Sequence, residues 1–195
     1  MSPIECVGAA LGLVMAWLLI IENIWAWPVG LIDSAIYVYI FFSTKLYSDT
    51  ILQGVYCVIF GYGWWHWWRG RGPNRTVTIT RLSPRGVGLW LVFGAAASLG
   101  WGEFMHRHTD AALPRWDAFV LVFSLIAQWW QARKRFENWV AWMVVDAMAI
   151  GVYWAKDLKM TSYLYSVYFA MAVAGHIAWK KSMGSDGPGR VSTPR

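Results

Sequence analysis

Apolar residues run along this chain in long blocks separated by short polar turns, with little alternation inside the blocks. Seven blocks approach the ~20 residues that cross a bilayer as a helix: 4–21, 23–42, 46–68, 87–105, 116–131, 138–153 and 160–179. Each is read as a helix, because an open strand cannot satisfy its backbone in lipid. The longest polar stretch, 69–86, contains an alternating TVTIT run that reads as a small extended element. Residues 184–195 are rich in Gly, Ser and Pro and read as a disordered tail.

The pattern is written twice. Glu22-Asn23 matches Glu137-Asn138, and Trp27, Lys45, Gly61 and Trp65 match Trp142, Lys159, Gly175 and Trp179, at an offset of 114 to 115 residues. Asp33 and Asp146 lie slightly out of that register and are only loosely equivalent. Equivalent spans are four apart, an even number, so both copies run in the same sense. The expected fold is an all-α integral membrane protein of seven transmembrane helices in a 3+1+3 parallel repeat. Residues 4–68 form a first three-helix bundle, 87–105 a linker helix and 116–180 a second bundle. Gly8 and Gly12 form a GxxxG motif in the first span, read as a helix-packing device.

Composition agrees. The chain is 57% hydrophobic and 14% charged, where a soluble domain carries about 25% charged residues. Its net charge of +6 does not point to nucleic acid, because the cations sit in the turns. With the N-terminus outside, twelve of the 17 Lys and Arg lie inside, which supports N-out and C-in. The first inside turn, at Glu22, carries no basic residue. No basic stretch precedes the first span, so no cleavable signal is expected. Cys6 and Cys57 fall within spans and read as packing residues. His106 and His108 stand in a turn without a third ligand, so no metal is expected. No cofactor motif is present.

An aspartate at mid-span costs roughly 2.5–3.5 kcal/mol on insertion scales, so Asp33 and Asp146 need a reason. Intramembrane acids line ligand or ion paths, or tie helices together through hydroxyl partners. On helices, Trp142 and Asp146 share a face, as do Asp33 and Tyr37. A carboxylate beside aromatic rings suits an organic cation. Gln53 and Gln128 are neutral polar groups within spans and serve either a ligand or a neighbouring helix. Thr161 and Tyr165 open the last span, either as interfacial residues or as ligand contacts. Most tryptophans, Trp25, Trp27, Trp64, Trp65, Trp67, Trp68 and Trp139 among them, are expected in interfacial belts. Trp129 and Trp142 are the ligand candidates. His176 reads as a packing residue.

The runs GYGWWHWW, KLYSDTILQ, SLIAQWWQARKRFENWVAW and KMTSYLY resemble the PnuC family of bacterial nicotinamide riboside transporters over nearly the whole of 4–179. That resemblance implies a fold related to the SWEET sugar transporters and a homotrimer in the cell inner membrane. It also implies facilitated diffusion of nicotinamide riboside, trapped by a cytosolic ribosylnicotinamide kinase. The matching site positions are Gln53, Gln128, Trp129, Thr161 and Tyr165. The mid-span positions of Asp33 and Asp146 are often Asn in the family. Two aspartates suit a small cationic vitamin, nicotinamide riboside or alternatively thiamine, and should repel a phosphorylated mononucleotide. A neutral sugar does not call for two acids. No nucleophile or metal set marks an intramembrane enzyme, and a pore remains a further reading.

Overall fold

The computed structural model describes residues 3–43, 47–70, 77–109 and 112–185. Seven helices follow one another: α1 (Pro3–Ile20), α2 (Ala26–Ser43), α3 (Tyr47–Arg69), α4 (Pro84–His108), α5 (Pro114–Ala132), α6 (Asn138–Ala155) and α7 (Lys159–Ser185). Three of them, α1, α4 and α5, begin with proline, at a position where a missing N–H costs nothing. Ser83 caps α4 by accepting from the Gly86 N–H at 3.1 Å. α4 extends beyond both ends of the expected 87–105. α7 runs past Trp179 and takes in Gly184 and Ser185, which the composition had assigned to the tail. The remainder of that tail, 186–195, lies outside the described residues.

The helix pairs in contact close a ring. α1 packs on α2, α2 on α3, α3 on α5, α5 on α6, α6 on α7, and α7 returns to α1. α4 stands outside the ring and packs on α5 alone. Gly94 and Gly102 make that contact close: a Cβ on either would press into α5, against Phe123 and Ile126 or against the Arg115 backbone.

Two tight turns at one end of the ring have the same construction. At the end of α1, Asn23 N–H donates to Leu18 O and Glu22 N–H to Leu19 O. At the end of α5, Arg135 N–H donates to Trp130 O and Lys134 N–H to Gln131 O. Each is a Schellman closure with a left-handed residue in the position glycine usually holds; here it is Glu22 (φ 56°) and Lys134 (φ 50°). The spacing between them is 112 residues, not the 114 to 115 that matching letters suggested. Backbone geometry sets this register, so the shared Glu-Asn pair is a misleading guide.

The same spacing governs the core. Trp27 packs edge-on against Trp67 at 5.3 Å, and Trp139 against Trp179 at 5.3 Å. Gly63 and Gly175 face the rings of Trp27 and Trp139, where a Cβ would come within 2.5 Å. Trp67 and Trp179 then meet at 6.2 Å. All four indoles are buried, so Trp27, Trp67 and Trp139 are not the interfacial belt residues expected above. Trp25, Trp64, Trp65 and Trp68 are exposed, as a belt requires. Two indoles also bridge the ring: Trp67 Nε1 donates to Ala132 O and Trp179 Nε1 to Leu19 O, each at 3.1 Å.

The segment 77–83 lies over this end. Thr80 N–H donates to Lys134 O at 3.0 Å, and Phe136 N–H donates back to Thr80 O at 2.9 Å. The alternating TVTIT run thus supplies one rung of extended pairing, the Thr80–Arg135 bridge. Glu137 fixes the segment further by accepting from Leu82 N–H at 3.0 Å.

Candidate functional site

A cavity of about 300 Å³ occupies the middle of the ring. Each of the six ring helices contributes residues to its wall. α3 supplies Gln53, Tyr56 and Phe60, α5 supplies Ser124, Gln128 and Gln131, and α6 supplies Trp139, Trp142 and Asp146. These are steps of three and four, which align side chains along one helix face. α1 presents Gly12, Met15, Ala16 and Leu19, and α7 presents Tyr165, Tyr168, Met171 and Ala172. α2 presents Asp33 and Ser34.

Wall positions recur at the 112-residue spacing but differ in chemistry. Gly12, Ala16 and Leu19 stand where α5 carries Ser124, Gln128 and Gln131. Ser34 stands where α6 carries Asp146. The α1 wall is therefore apolar and the α5–α6 wall polar. A ligand that fits must have an apolar face and a polar face.

The polar wall is partly committed and partly free. Trp142 Nε1 donates to Gln131 Oε1 at 3.0 Å, which fixes both side chains. Gln128 is 4% exposed and its Nε2 has no hydrogen-bond partner among the described residues. Asp33 Oδ1 is buried and likewise accepts no hydrogen bond. Asp146 is 3% exposed. Buried polar atoms without partners are rare in folded proteins and call for an explanation. Two carboxylates and one amide donor converge on one cavity with aromatic walls, an arrangement able to take up a polar ligand.

A second, more open hollow of about 620 Å³ adjoins the cavity and shares Gly12, Asp33, Tyr165 and Tyr168 with it. Its outer rim includes Asp157, Leu158 and Lys159 of the α6–α7 turn. Gly8 and Gly12 are needed here: a Cβ on either would strike the Tyr37 or Tyr168 ring. The GxxxG motif thus seats tyrosines rather than a bare helix backbone. Nearby, Lys156 Nζ contacts both carboxylate oxygens of Asp117 at 2.6 Å, tying α6 to the start of α5. Among the described residues, no group of three or more His, Cys, Asp or Glu could hold a metal ion.

Comparison with known proteins gives this geometry a context. A family profile described as "Nicotinamide mononucleotide transporter" matches residues 2–181. The chain belongs to this family, the PnuC transporters. It is similar to the nicotinamide riboside transporter PnuC of Escherichia coli, 26% identical, with 98% of this chain and 91% of that protein covered. It is also similar to the riboflavin/roseoflavin transporter RibM of Streptomyces davaonensis, 26% identical over 90% of this chain and 83% of that one. Among solved structures, the crystal structure of the vitamin B3 transporter PnuC matches with a TM-score of 0.72 and 24% identity, over 93% of this chain and 82% of that one. That likeness concerns the fold. As a member of the PnuC family, the chain is a multi-pass membrane transporter and not an enzyme. α2 and α4 each meet the length and hydropathy of a membrane span taken alone, and exposed apolar side chains such as Leu89, Val92 and Val58 suit a lipid surround.

The cavity gathers six of the residues singled out from sequence: Asp33, Gln53, Gln128, Trp142, Asp146 and Tyr165. Tyr37 and Thr161 line the outer hollow instead. Trp129 lines neither. It stacks on Tyr62 at 4.9 Å, with the Arg133 guanidinium 5.6 Å from its ring. Adjacent helical residues point about 100° apart; on α5 Gln128 faces the cavity and Trp129 faces Tyr62 of α3. Ser34, Tyr56, Ser124, Gln131, Trp139 and Tyr168 were missed. The signal was present, since each lies three, four or seven residues from a wall residue on its own helix, except Ser34, which adjoins Asp33. His176 lies tilted against Phe136 at 4.6 Å, its buried Nδ1 without a hydrogen-bond partner among the described residues, and His108 stacks on Phe104 at 4.6 Å.

Proposed function

We propose that this chain takes up nicotinamide riboside, a small cationic vitamin, across the cell inner membrane. The observation that carries the reading is the meeting of Asp33 and Asp146 in one cavity beside the free Gln128 amide, within a PnuC-family chain. The pyridinium ring carries the positive charge and suits the carboxylates and the Trp142, Tyr165 and Tyr168 rings through cation–π attraction. The ribose hydroxyls and the carboxamide suit the amides and hydroxyl of the α5 wall. A cavity of about 300 Å³ is at the small end of ligand pockets and holds one nucleoside.

The phosphorylated mononucleotide is excluded on charge. At ~4 Å and an effective dielectric near 20, one like-charge pair costs about 4 kcal/mol. Transport is facilitated diffusion by alternating access, and a cytosolic ribosylnicotinamide kinase traps the product. The seven helices form a 3+1+3 parallel repeat, α1–α3 and α5–α7 about a pseudo-two-fold axis with α4 as linker. The constant 112-residue spacing of turns, tryptophans and wall positions supports it. The chain assembles as a homotrimer with its N-terminus outside and C-terminus in the cytoplasm.

Thiamine is the second reading, since its thiazolium cation meets the same two carboxylates. Riboflavin, which the RibM relative's name specifies, is neutral and gives two buried acids no role. Thermal stabilisation of the purified protein by nicotinamide riboside, its mononucleotide, thiamine and riboflavin, side by side, tests these readings. A ligand at a hundred times its dissociation constant adds about 2.7 kcal/mol to the folded state. Stabilisation by nicotinamide riboside alone is expected; stabilisation by the mononucleotide would overturn the charge argument.

A further inference from the structure

The cavity opens toward the outer hollow and is shut at its other end. Its floor shares Met15, Leu19, Phe60, Trp139 and Ala172 with the tryptophan core. Beyond the floor, Lys134 Nζ lies 2.6 Å from Glu22 Oε2 and donates to Val77 O at 2.9 Å. The same ammonium sits 4.8 Å from the Trp67 ring centre. Lys134 is 8% exposed and the Glu22 side chain 24%, so the ion pair is partly buried, under the 77–83 segment and over the four indoles.

We propose that the Glu22–Lys134 ion pair latches the inner gate of the transport path, with the tryptophan floor as the plug beneath it. This rests on the transporter reading above. A substrate that enters from the outer hollow and leaves at the opposite end passes between the α1–α2 and α5–α6 turns. Those turns belong to opposite sides of the ring, and Glu22 and Lys134 are their apical left-handed residues. Parting them breaks this ion pair and the two crossed indole bonds, Trp67 to Ala132 and Trp179 to Leu19. Nothing within either turn's own hydrogen-bond network has to change. A buried ion pair adds little net stability over apolar side chains of similar shape, whereas removing one partner strands a charge. It therefore suits a contact that two whole turns make or break together.

The test needs no substrate. A reporter thiol is placed in the cavity wall by Ser34→Cys, with Cys6 and Cys57 replaced by Ser. A membrane-impermeant maleimide is then applied in oriented vesicles from the side that bears the two turns. Glu22→Lys and Lys134→Glu are each expected to speed labelling by about tenfold or more, as a shift toward the open state requires. The double swap Glu22→Lys/Lys134→Glu returns the rate to within about twofold of the parent. The paired isosteres Glu22→Gln/Lys134→Met leave no lone charge, so they fold, and they label more slowly than either single variant. Single variants that label at the parental rate, or a swap that labels as fast as the single variants, would overturn the gate. Nicotinamide riboside uptake, measured separately, judges the substrate, so a correct gate on a different vitamin remains recognisable.

Discussion

The Trp179 indole donates to the Leu19 carbonyl at 3.1 Å, tying the last helix to the first across 160 residues of sequence. Trp67 does the same to Ala132, so each end of the ring's seam carries one crossed bond. Leu19 O also accepts from Glu22 N–H, so it is not stranded when the indole is removed. Trp179→Phe should therefore cost about 1–2 kcal/mol, the worth of a buried hydrogen bond together with some lost packing. Thermal unfolding in detergent measures it, and Trp67→Phe should match within about half a kcal/mol if the two bonds are equivalent.

The glycines facing the tryptophans make a sharper comparison. Gly63→Ala and Gly175→Ala each place a methyl 2.5 Å from a buried indole ring. Overpacking of this kind costs about 1–3 kcal/mol. Gly54 lies in the same helix as Gly63 and has no atom within 4 Å of an added Cβ. Gly54→Ala should be neutral or stabilise by up to ~1 kcal/mol through helix propensity. Equal effects at Gly54 and Gly63 would contradict the packing account.

Neighbouring residues on α5 should separate cleanly in binding. Gln128→Leu removes the free amide from the cavity wall and should weaken nicotinamide riboside about tenfold or more, in line with one lost hydrogen bond. Trp129→Phe changes a ring that stacks outside the cavity on Tyr62 and should leave the dissociation constant within about twofold. Isothermal titration of both variants checks the assignment of this helix face.

Much of this was legible in the sequence. Seven apolar blocks gave the helices, and mid-block acids gave Asp33 and Asp146, because a charge in a lipid-spanning segment has few other uses. The internal register was misread, because identical pairs at 112 residues, Trp27 with Trp139, Gly63 with Gly175 and Trp67 with Trp179, compete with letter matches at 114 to 115, while other equivalent positions carry unlike side chains: Glu22 with Lys134, Ser34 with Asp146, Gln53 with Tyr165. The absence of a basic residue in the turn at Glu22 was visible but not its partner. Glu22 borrows its cation from Lys134, 112 residues away, and no local pattern reports a partner at that distance. Likewise, tryptophans near span ends look alike in sequence whether they face lipid, as Trp68 does, or fill the floor, as Trp67 does one residue earlier.

Asp33 and Asp146 should differ in kind. Asp33 borders both the outer hollow and the cavity, whereas Asp146 lines the cavity alone. Asp33→Asn should lower the rate of substrate capture and its sensitivity to salt, since exposed charges steer and are screened. Asp146→Asn should act on residence in the site. Stopped-flow binding at two ionic strengths distinguishes them: a salt dependence kept by Asp33→Asn and lost by Asp146→Asn would reverse the assignment.

The most direct test is uptake of labelled nicotinamide riboside into proteoliposomes containing the native protein or Asp146→Ala, with no ion gradient imposed. The native protein should bring the inside concentration to the outside value and no higher. Asp146→Ala should fold and insert normally yet lose at least about 90% of the initial rate, as loss of a charge-assisted contact implies. Unchanged uptake by Asp146→Ala would contradict the claim that Asp146 contacts the substrate.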